Sequence, residues 1–275
     1  MEHKTDGYEQ QFRNLWQNMK EETHSPEFKC DFAARFVVIW TLLSRIPLPR
    51  SLWPKEIPEG HRCLSLAPLA GGLLGVISGF AVMLPYLMGI NDLASAWIGA
   101  AVYFLIGWAL HLDGWGDLWD GIGSGRCGDE LREVMKDSRL GSYGGASIVI
   151  AFGLWTSLVS SIPPMYRLSA CVTSAAAARF AECVAAYVGK YPWEHGMAKG
   201  WVDSFTKYDL FTAFVCLAPF LIFSIFHYVL CVFLSALTAV AIAAHMNKRL
   251  SGVNGDVMGA CAVAAELVSM AVWAM

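Results

Sequence analysis

Long apolar runs alternate with polar stretches along the chain, and the apolar runs predict its architecture. Seven of them are long enough to cross a bilayer, which takes about 20 residues each. They lie at 66–89, 94–111, 145–162, 168–188, 210–226, 228–246 and 257–275. A shorter run at 32–44 contains Arg35, and we expect an interfacial or half-inserted helix there. The pattern predicts an all-α, polytopic membrane bundle of about seven transmembrane helices.

The connections between these runs are unequal in length and charge. Three are short and nearly uncharged, at 89–92, 163–167 and 226–227, and the others are long and charged, at 45–65, 112–144, 189–209 and 247–256. Of the 20 Lys and Arg residues, 18 lie on the long-loop side together with the N-terminal segment, the exceptions being Arg167 and Arg179. By the positive-inside rule that side is cytoplasmic. We therefore expect a multi-pass protein of the cell inner membrane whose charged loops open to the cytoplasm.

Composition agrees with a membrane domain and excludes other classes. The chain is 56% apolar and 16% charged, with a net charge of −3 that gives no indication of a nucleic-acid partner. Residues 1–31 are polar and lack the apolar core of a signal peptide, so we interpret them as an N-terminal extension of a membrane domain at 32–275. The eight cysteines form no C-x-x-C pair, so neither a disulfide framework nor a zinc site is predicted.

The stretch "HLDGWGDLWDG" at 111–121 places three carboxylates directly after an apolar run. Asp113, Asp117 and Asp120 follow an i, i+4, i+7 spacing, which puts them within about 60° of one another on a helix. Three like charges at a membrane mouth repel one another unless a cation compensates them, and hard oxygen ligands favour Mg²⁺. The neighbouring glycines are expected to leave room for a bulky ligand; they are Gly114, Gly116, Gly121, Gly123 and Gly125.

A basic stripe follows the acidic one. Arg132, Lys136 and Arg139 repeat the i, i+4, i+7 spacing. Mg²⁺ on one side and Lys or Arg on the other is the arrangement that a diphosphate needs. The alternative is a solvated loop helix with mixed charges.

Further charged residues lie near the later apolar runs. In "NKRLSGVNGDVMGA" at 247–260, Lys248 and Arg249 precede glycine-rich backbone that could reach phosphate oxygens, and Asp256 is either a ligand or a helix N-cap. Lys248 and Arg249 are also explained as topogenic charges. Arg179 and Glu182 are one helical turn apart inside a run, where they either pair or leave Arg179 to bind a substrate anion.

The residues alone therefore predict a membrane enzyme that acts on a phosphoanhydride with Mg²⁺. In this hypothesis a positioned alcohol attacks phosphorus while metal and cations absorb the developing charge.

Several motifs resemble the cobalamin synthase family, the adenosylcobinamide-GDP ribazoletransferases. "HLDGWGDLWDG" and "MKDSRLGSYGG" resemble the paired central motifs of that family. "LLSRIPLP" at 42–49, with Ser44 where threonine is usual, "PLAGGLLGVISG" at 68–79 and "KRLSGVNGDVMGA" at 248–260 follow in the same order. The resemblance covers about residues 35–270. The last motif departs from the usual pattern, because Asn254 stands where that pattern has threonine.

This resemblance implies a reaction and a set of roles. The 5′-hydroxyl of α-ribazole, or of α-ribazole 5′-phosphate, would join adenosylcobinamide-GDP as GMP leaves. Asp113, Asp117 and Asp120 would bind Mg²⁺, and Asp137 or Asp256 would be the general base. Candidates for contact with the substrate are Arg45, Lys136, Arg139, Arg179, Lys248 and Arg249. The partners expected are these substrates, the lipid bilayer and no nucleic acid, with the oligomeric state left open between a monomer and a homo-oligomer.

Two alternatives come from other classes. A CDP-alcohol phosphotransferase-like enzyme also uses helical aspartates, but the early D-G-x2-A-R pattern is missing here. A cation transporter would use the carboxylates as a conduction site, yet it should carry its charges near mid-membrane in broken helices.

Overall fold

The computed structural model describes residues 32–275, and this part of the chain is α-helical without any strand. The predicted extension at 1–31 lies outside the described residues. In chain order the α-helices are α1 (Phe32–Leu43), α2 (Gly60–Leu64), α3 (Ala67–Leu87), α4 (Asp92–Tyr103), α5 (Ala109–Gly123), α6 (Gly128–Lys136), α7 (Ser142–Ser161), α8 (Pro164–Val188), α9 (Lys199–Val202), α10 (Lys207–Val215), α11 (Ile225–Arg249) and α12 (Gly255–Ala274). The all-α prediction is confirmed.

Six helices within residues 32–275 are long and apolar enough to cross a membrane. They are α3, the continuous α4–α5 helix, α7, α8, α11 and α12. The short apolar run at 32–44 forms α1, whose position relative to a membrane remains a prediction.

The predicted run at 210–226 crosses the bundle as a broken helix. It is divided into α10 and a 3-10 helix at Ala218–Phe223, before α11 begins at Ile225. Pro219 explains the break, because proline has no N–H to continue the helix and its ring clashes with the preceding turn. The broken segment nevertheless reaches the far end of the bundle, where the His227 ring stacks 4.4 Å from Trp273 near the end of α12. The expectation of about seven crossing segments therefore holds, with one of them irregular.

Helix α8 lies at the centre of the bundle and is buried along almost its whole length. It packs most closely against α3, where Gly71, Gly75 and Gly79 face it at one-turn intervals. A Cβ at Gly75 would lie 2.5 Å from the carbonyl oxygen of Cys171. Small residues at this spacing allow two helices in a membrane to approach closely, so the "PLAGGLLGVISG" motif is a packing surface.

The α4–α5 helix places the central aspartates at one end of the bundle. It runs from Asp92 to Gly123, with a π-helical stretch at Phe104–Trp108. Twenty helical residues rise about 30 Å, which is the thickness of the hydrocarbon core. We therefore expect Asp113 to lie just past the membrane-crossing part, on the side of the long charged loops.

Labelling tests this topology. With Cys127 restored to a cysteine-free background, a membrane-impermeant maleimide should not react on intact cells, because the predicted topology places the exposed Cys127, which follows α5, on the cytoplasmic side. Met165→Cys in the same background should react, because Met165 lies in the first turn of α8, on the predicted outer side, and is 74% exposed. Permeabilised cells are the control, in which both must react. Reaction of both from outside on intact cells would contradict the arrangement.

Candidate active site

The candidate site begins where α5 crosses α12. A Cβ at Gly114 would lie 2.8 Å from both the Cα and the carbonyl oxygen of Asp256. On α12, about one turn after Asp256, Gly259 is also close to α5, since a Cβ there would lie 3.4 Å from the Cα of His111. Glycine at position 114 is thus required by close backbone packing, and the crossing delivers Asp256 to the aspartates of α5.

Four carboxylates lie close enough to this crossing for their charges to interact. The charges that act on Asp117 are those of Asp256, Asp113 and Asp120. Asp113 is exposed, and the other three are half-buried. The structure therefore brings the predicted stripe together and adds Asp256, which the sequence places 136 residues after Asp120.

Asp120 differs from the others in its hydrogen bonds. Its Oδ2 accepts from the backbone N–H of Gly141 at 2.7 Å, and its Oδ1 accepts from that of Gly144 at 2.8 Å. These N–H groups belong to the first turn of α7, which has no intrahelical partner for them. Asp120 thus holds the start of α7 against α5.

The carboxylate of Asp256 is oriented by a residue at the start of its own helix, α12. The N-cap of α12 is Asn254, whose side-chain oxygen accepts from the N–H of Val257 at 3.0 Å. The amide nitrogen of Asn254 donates to Oδ2 of Asp256 at 2.7 Å. Of the two roles expected for Asp256, the N-cap role is therefore wrong, and Asn254 both caps the helix and orients the carboxylate.

The glycines of the central motif do not leave room for a ligand, contrary to expectation. A Cβ at Gly116 would meet Ile148, one at Gly121 would meet Leu131, and one at Gly123 would meet Tyr143. Only Gly125 among the five faces open space, and its φ of +69° explains the glycine there. The others allow α6, α7 and α12 to pack closely against α5.

The basic stripe is shorter than predicted. Helix α6 ends at Lys136, and Asp137 is already extended, so Arg139 is not on the same helix face. Within α6, the Cζ of Arg132 lies 4.3 Å and the Nζ of Lys136 lies 5.8 Å from the ring centroid of Trp193.

Arg139 and Asp137 pair with each other on an exposed loop. The Nη2 of Arg139 donates to Oδ2 of Asp137 at 2.6 Å, and its Nε donates to Oδ1 at 3.0 Å. These hydrogen bonds lower the pKa of Asp137 to about 2. A carboxylate with so low a pKa accepts a proton poorly near neutral pH, so Asp137 is a weak candidate for the general base.

Among the described residues, the other predicted substrate-binding cations of the loops make no ion pair with the carboxylate cluster. The Nη2 of Arg249 donates to the carbonyl oxygen of Arg126 at 2.7 Å, just beyond the end of α5. Arg45 and Lys248 are exposed, and the backbone N–H of Arg45 donates to the carbonyl of Ile106 at 2.7 Å. Arg249 thus has a role in holding the α5–α6 connection.

Arg179 lies in the core of the bundle and has no exposed surface. Its Nε is 3.4 Å from Glu182, its Nη1 is 3.8 Å from Glu266, and its Nη2 donates to the Tyr103 hydroxyl at 3.3 Å. A side chain enclosed in this way is not available to a substrate anion in this conformation. Of the two explanations for Arg179, pairing is the one that the structure supports.

The same buried network reaches the central motif. The Nε2 of His111 is 2.7 Å from Glu182, and both side chains are almost fully buried. On the other side of Arg179, Glu266 accepts from Trp155 at 3.2 Å and from Tyr103 at 3.1 Å. His111 thus fastens α5 to the central helix two residues before Asp113.

The donor set of the cluster fits a hard divalent cation, because every available ligand is a carboxylate oxygen. Within residues 32–275, no three or more His, Cys, Asp or Glu side chains are already arranged to hold an ion. Mg²⁺ commonly takes one or two carboxylates and completes its octahedron with water and substrate phosphates, so a two-carboxylate site is the arrangement to test.

Sequence reasoning missed the segment between α8 and α10. Tyr191 and Trp193 lie there as a perpendicular pair with ring centroids 5.6 Å apart. Two aromatic residues in a charged loop were a visible signal in the sequence, but the contact of Trp193 with α6 depends on the tertiary fold.

Comparison with known proteins assigns the family. The family model described as cobalamin-5-phosphate synthase matches residues 35–274. The chain belongs to this family. The resemblance predicted from the motifs is thereby confirmed.

Relatives of known name extend over most of the chain. Proteins named adenosylcobinamide-GDP ribazoletransferase are 26% identical in Clostridium acetobutylicum (89% of this chain, 97% of the relative), 28% in Fusobacterium nucleatum (85% and 94%) and 30% in Clostridium kluyveri (86% and 94%). No solved structure matches the chain. The family match at 35–274 extends from α1 to α12 and so covers almost the whole described fold.

Gly114→Ala tests the crossing that assembles the site. The added methyl group would overlap the Asp256 backbone, so α5 and α12 must separate. We expect turnover to fall by at least tenfold, since displacements of about 1 Å at a reactive site cost roughly 100-fold.

Gly153→Ala on α7 is the matched control, because a Cβ there meets nothing within 4 Å. Activity and thermal unfolding in detergent are measured for both variants. Equal activity of Gly114→Ala and Gly153→Ala would show that the crossing does not position Asp256.

Proposed function

We propose that this chain is an Mg²⁺-dependent adenosylcobinamide-GDP ribazoletransferase that acts at the cytoplasmic face of the cell inner membrane. The supporting observation is the carboxylate cluster of α5 and α12 on a chain of the cobalamin-5-phosphate synthase family. About twenty residues of the α4–α5 helix precede the cluster, which is enough to cross the hydrocarbon core, so a conduction site near mid-membrane is disfavoured.

The four carboxylates divide between two tasks in this proposal. Asp113 and Asp117 would hold Mg²⁺, which when bound would neutralise charge on the diphosphate. Asp120 keeps both oxygens on the α7 backbone and positions the site instead of binding the ion. Asp256 remains free of the ion and takes the role of general base, since a carboxylate committed to Mg²⁺ is a poor proton acceptor.

The reaction is a single displacement at phosphorus. Asp256, held by the Asn254 amide, accepts the proton of the 5′-hydroxyl of α-ribazole or of its 5′-phosphate. The hydroxyl oxygen bonds to the phosphorus linked to the cobinamide. The bond from that phosphorus to the bridging oxygen breaks, and GMP leaves with the electron pair. Lys136, at the exposed end of α6, stabilises the negative charge in this proposal.

Removing a metal ligand tests the assignment. Asp113→Asn and Asp117→Asn should each lower GMP release by orders of magnitude, because each removes a negative ligand while keeping size. The assay uses protein in detergent with adenosylcobinamide-GDP, α-ribazole and Mg²⁺, and chelator should abolish turnover. Raised Mg²⁺ or Mn²⁺ should partly restore at least one variant by mass action.

Asp129→Asn, an exposed position in the first turn of α6, is the matched control and should keep its activity. The metal-free Asn variants should melt no lower than the metal-free wild type, because the carboxylates repel one another when no ion is present. Full activity of both Asn variants, or activity insensitive to chelator, would contradict the metal assignment.

The pH dependence separates the two candidate bases. Asp137→Asn should not change the pH–rate profile above about pH 4, because the Arg139 hydrogen bonds hold the pKa of Asp137 at about 2 and the carboxylate is already ionised. By linkage, its contribution to stability is present above about pH 4 and is lost as pH falls towards 2. Asp256→Asn should abolish turnover across the profile. A shifted acidic limb in Asp137→Asn, with an active Asp256→Asn variant, would reverse the assignment.

A further inference from the structure

The segment between α8 and α10 is fastened against the loop that precedes Asp256. The N–H of Val253 donates to the carbonyl oxygen of Lys190 at 2.8 Å. The N–H of Tyr191 donates to the carboxylate of Asp203 at 2.9 Å. These bonds hold the Tyr191–Trp193 pair at the side of the candidate site, where both rings are half-buried.

Arg132 stacks on the Trp193 ring of this pair, and its guanidinium has no hydrogen-bond or ion-pair partner among the described residues. Its guanidinium carbon lies 4.3 Å from the centroid of the Trp193 ring. Its Nε is buried without a hydrogen-bond partner, and the described residues show no ion pair for its guanidinium. Stacking covers the face of a guanidinium and leaves its N–H edge free for a bidentate anion. By contrast, Arg139 is paired with Asp137 and Arg249 with backbone carbonyls.

Electrostatic interactions connect the stacked arginine to the carboxylate cluster. Burial raises the pKa of Tyr191, and the charges of Arg132, Asp256 and Asp203 all act on the same phenol. The charges of Arg132 and of the proposed general base therefore both reach Tyr191. The Nζ of Lys136 is 5.8 Å from the same Trp193 ring, so two cations converge there. Like charges held together in this way are best compensated by an anionic ligand.

We propose that Trp193 is a positioning residue, whose indole ring holds the guanidinium of Arg132 for bidentate binding of the substrate diphosphate. This inference rests on the proposed function and adds a specific partner to it. The ring face orients the flexible arginine before the substrate arrives, which lowers the entropy cost of forming two charge-assisted hydrogen bonds.

Steady-state kinetics with each substrate varied in turn tests this role. Trp193→Ala should raise the KM for adenosylcobinamide-GDP by roughly three- to thirtyfold, the range expected for a cation–π contact. The KM for α-ribazole and the melting temperature should not change. Arg132→Ala should lower kcat/KM by roughly ten- to 150-fold, because it removes a charged hydrogen-bond donor. Trp97→Ala and Arg50→Ala, both exposed and outside the cluster, are the controls.

A double-mutant cycle provides the deciding comparison. Trp193→Ala combined with Arg132→Ala should be no worse than Arg132→Ala alone, because the ring then has nothing to position. Trp193→Phe, which keeps an aromatic face, should keep most of the affinity, whereas Trp193→Leu should lose it. If Trp193→Ala does not fold, the comparison of Trp193→Phe with Trp193→Leu still tests the positioning role.

Three results would overturn the role of Trp193. They are additive effects in the cycle, an equal rise in the KM of both substrates, and equal losses in Trp193→Phe and Trp193→Leu. A wild-type protein that releases no GMP contradicts the proposed function itself. An active wild type with an insensitive Trp193→Ala variant contradicts only the positioning role.

Discussion

A buried ionic network around Arg179 is the interaction on which the arrangement of the bundle depends. Arg179 on the central helix lies between Glu182 and Glu266, and Glu182 in turn contacts His111 of the central motif. Removing one partner of such a network leaves an uncompensated buried charge, which costs about 3–5 kcal/mol. The helices that carry these side chains can rotate about their own axes only slightly before the network breaks. The network therefore fixes which face of α5 meets α12.

That rotation decides where the groups of the candidate site lie. With His111 directed into the core, Gly114 faces the backbone of Asp256 and Asp113 is left exposed. Charged residues of the chain accordingly fall into two groups. Arg179, Arg249 and Asp120 hold helices together through bonds inside the protein. Arg132 and Lys136 instead lie over the Trp193 ring and keep free donors, and free groups of this kind are the ones that can bind a phosphate-bearing substrate.

Periodicity and apolar length were enough to predict the fold class, most crossing segments and the helical stripe of Asp113, Asp117 and Asp120. They did not predict the broken segment at 207–223, because the length of an apolar run does not show how Pro219 interrupts its hydrogen bonds. Nor could spacing distinguish the two uses of the aspartates. Asp120 has the same register as Asp117, and only the start of α7 determines that its oxygens accept backbone N–H groups.

The remaining features of the site depend on contacts that are distant in sequence. Asp256 joins the cluster through the crossing at Gly114, and Trp193 meets Arg132 across 61 positions of the chain. The glycines of the central motif predict space for a ligand, but most of them face neighbouring helices. A glycine pattern in a sequence indicates that some group comes close to the backbone, but it does not show whether that group is a ligand or another helix.

The central claim is that Asp113 and Asp117 form one ion site while Asp256 stays outside it. Mn²⁺ binding to the detergent-solubilised protein, followed by electron paramagnetic resonance in the presence of adenosylcobinamide-GDP, tests this directly. We expect the wild type, Asp129→Asn and Asp256→Asn to bind the ion, and Asp113→Asn and Asp117→Asn to bind it much more weakly. Unchanged Mn²⁺ binding in Asp113→Asn and Asp117→Asn, or its loss in Asp256→Asn alone, would contradict the account.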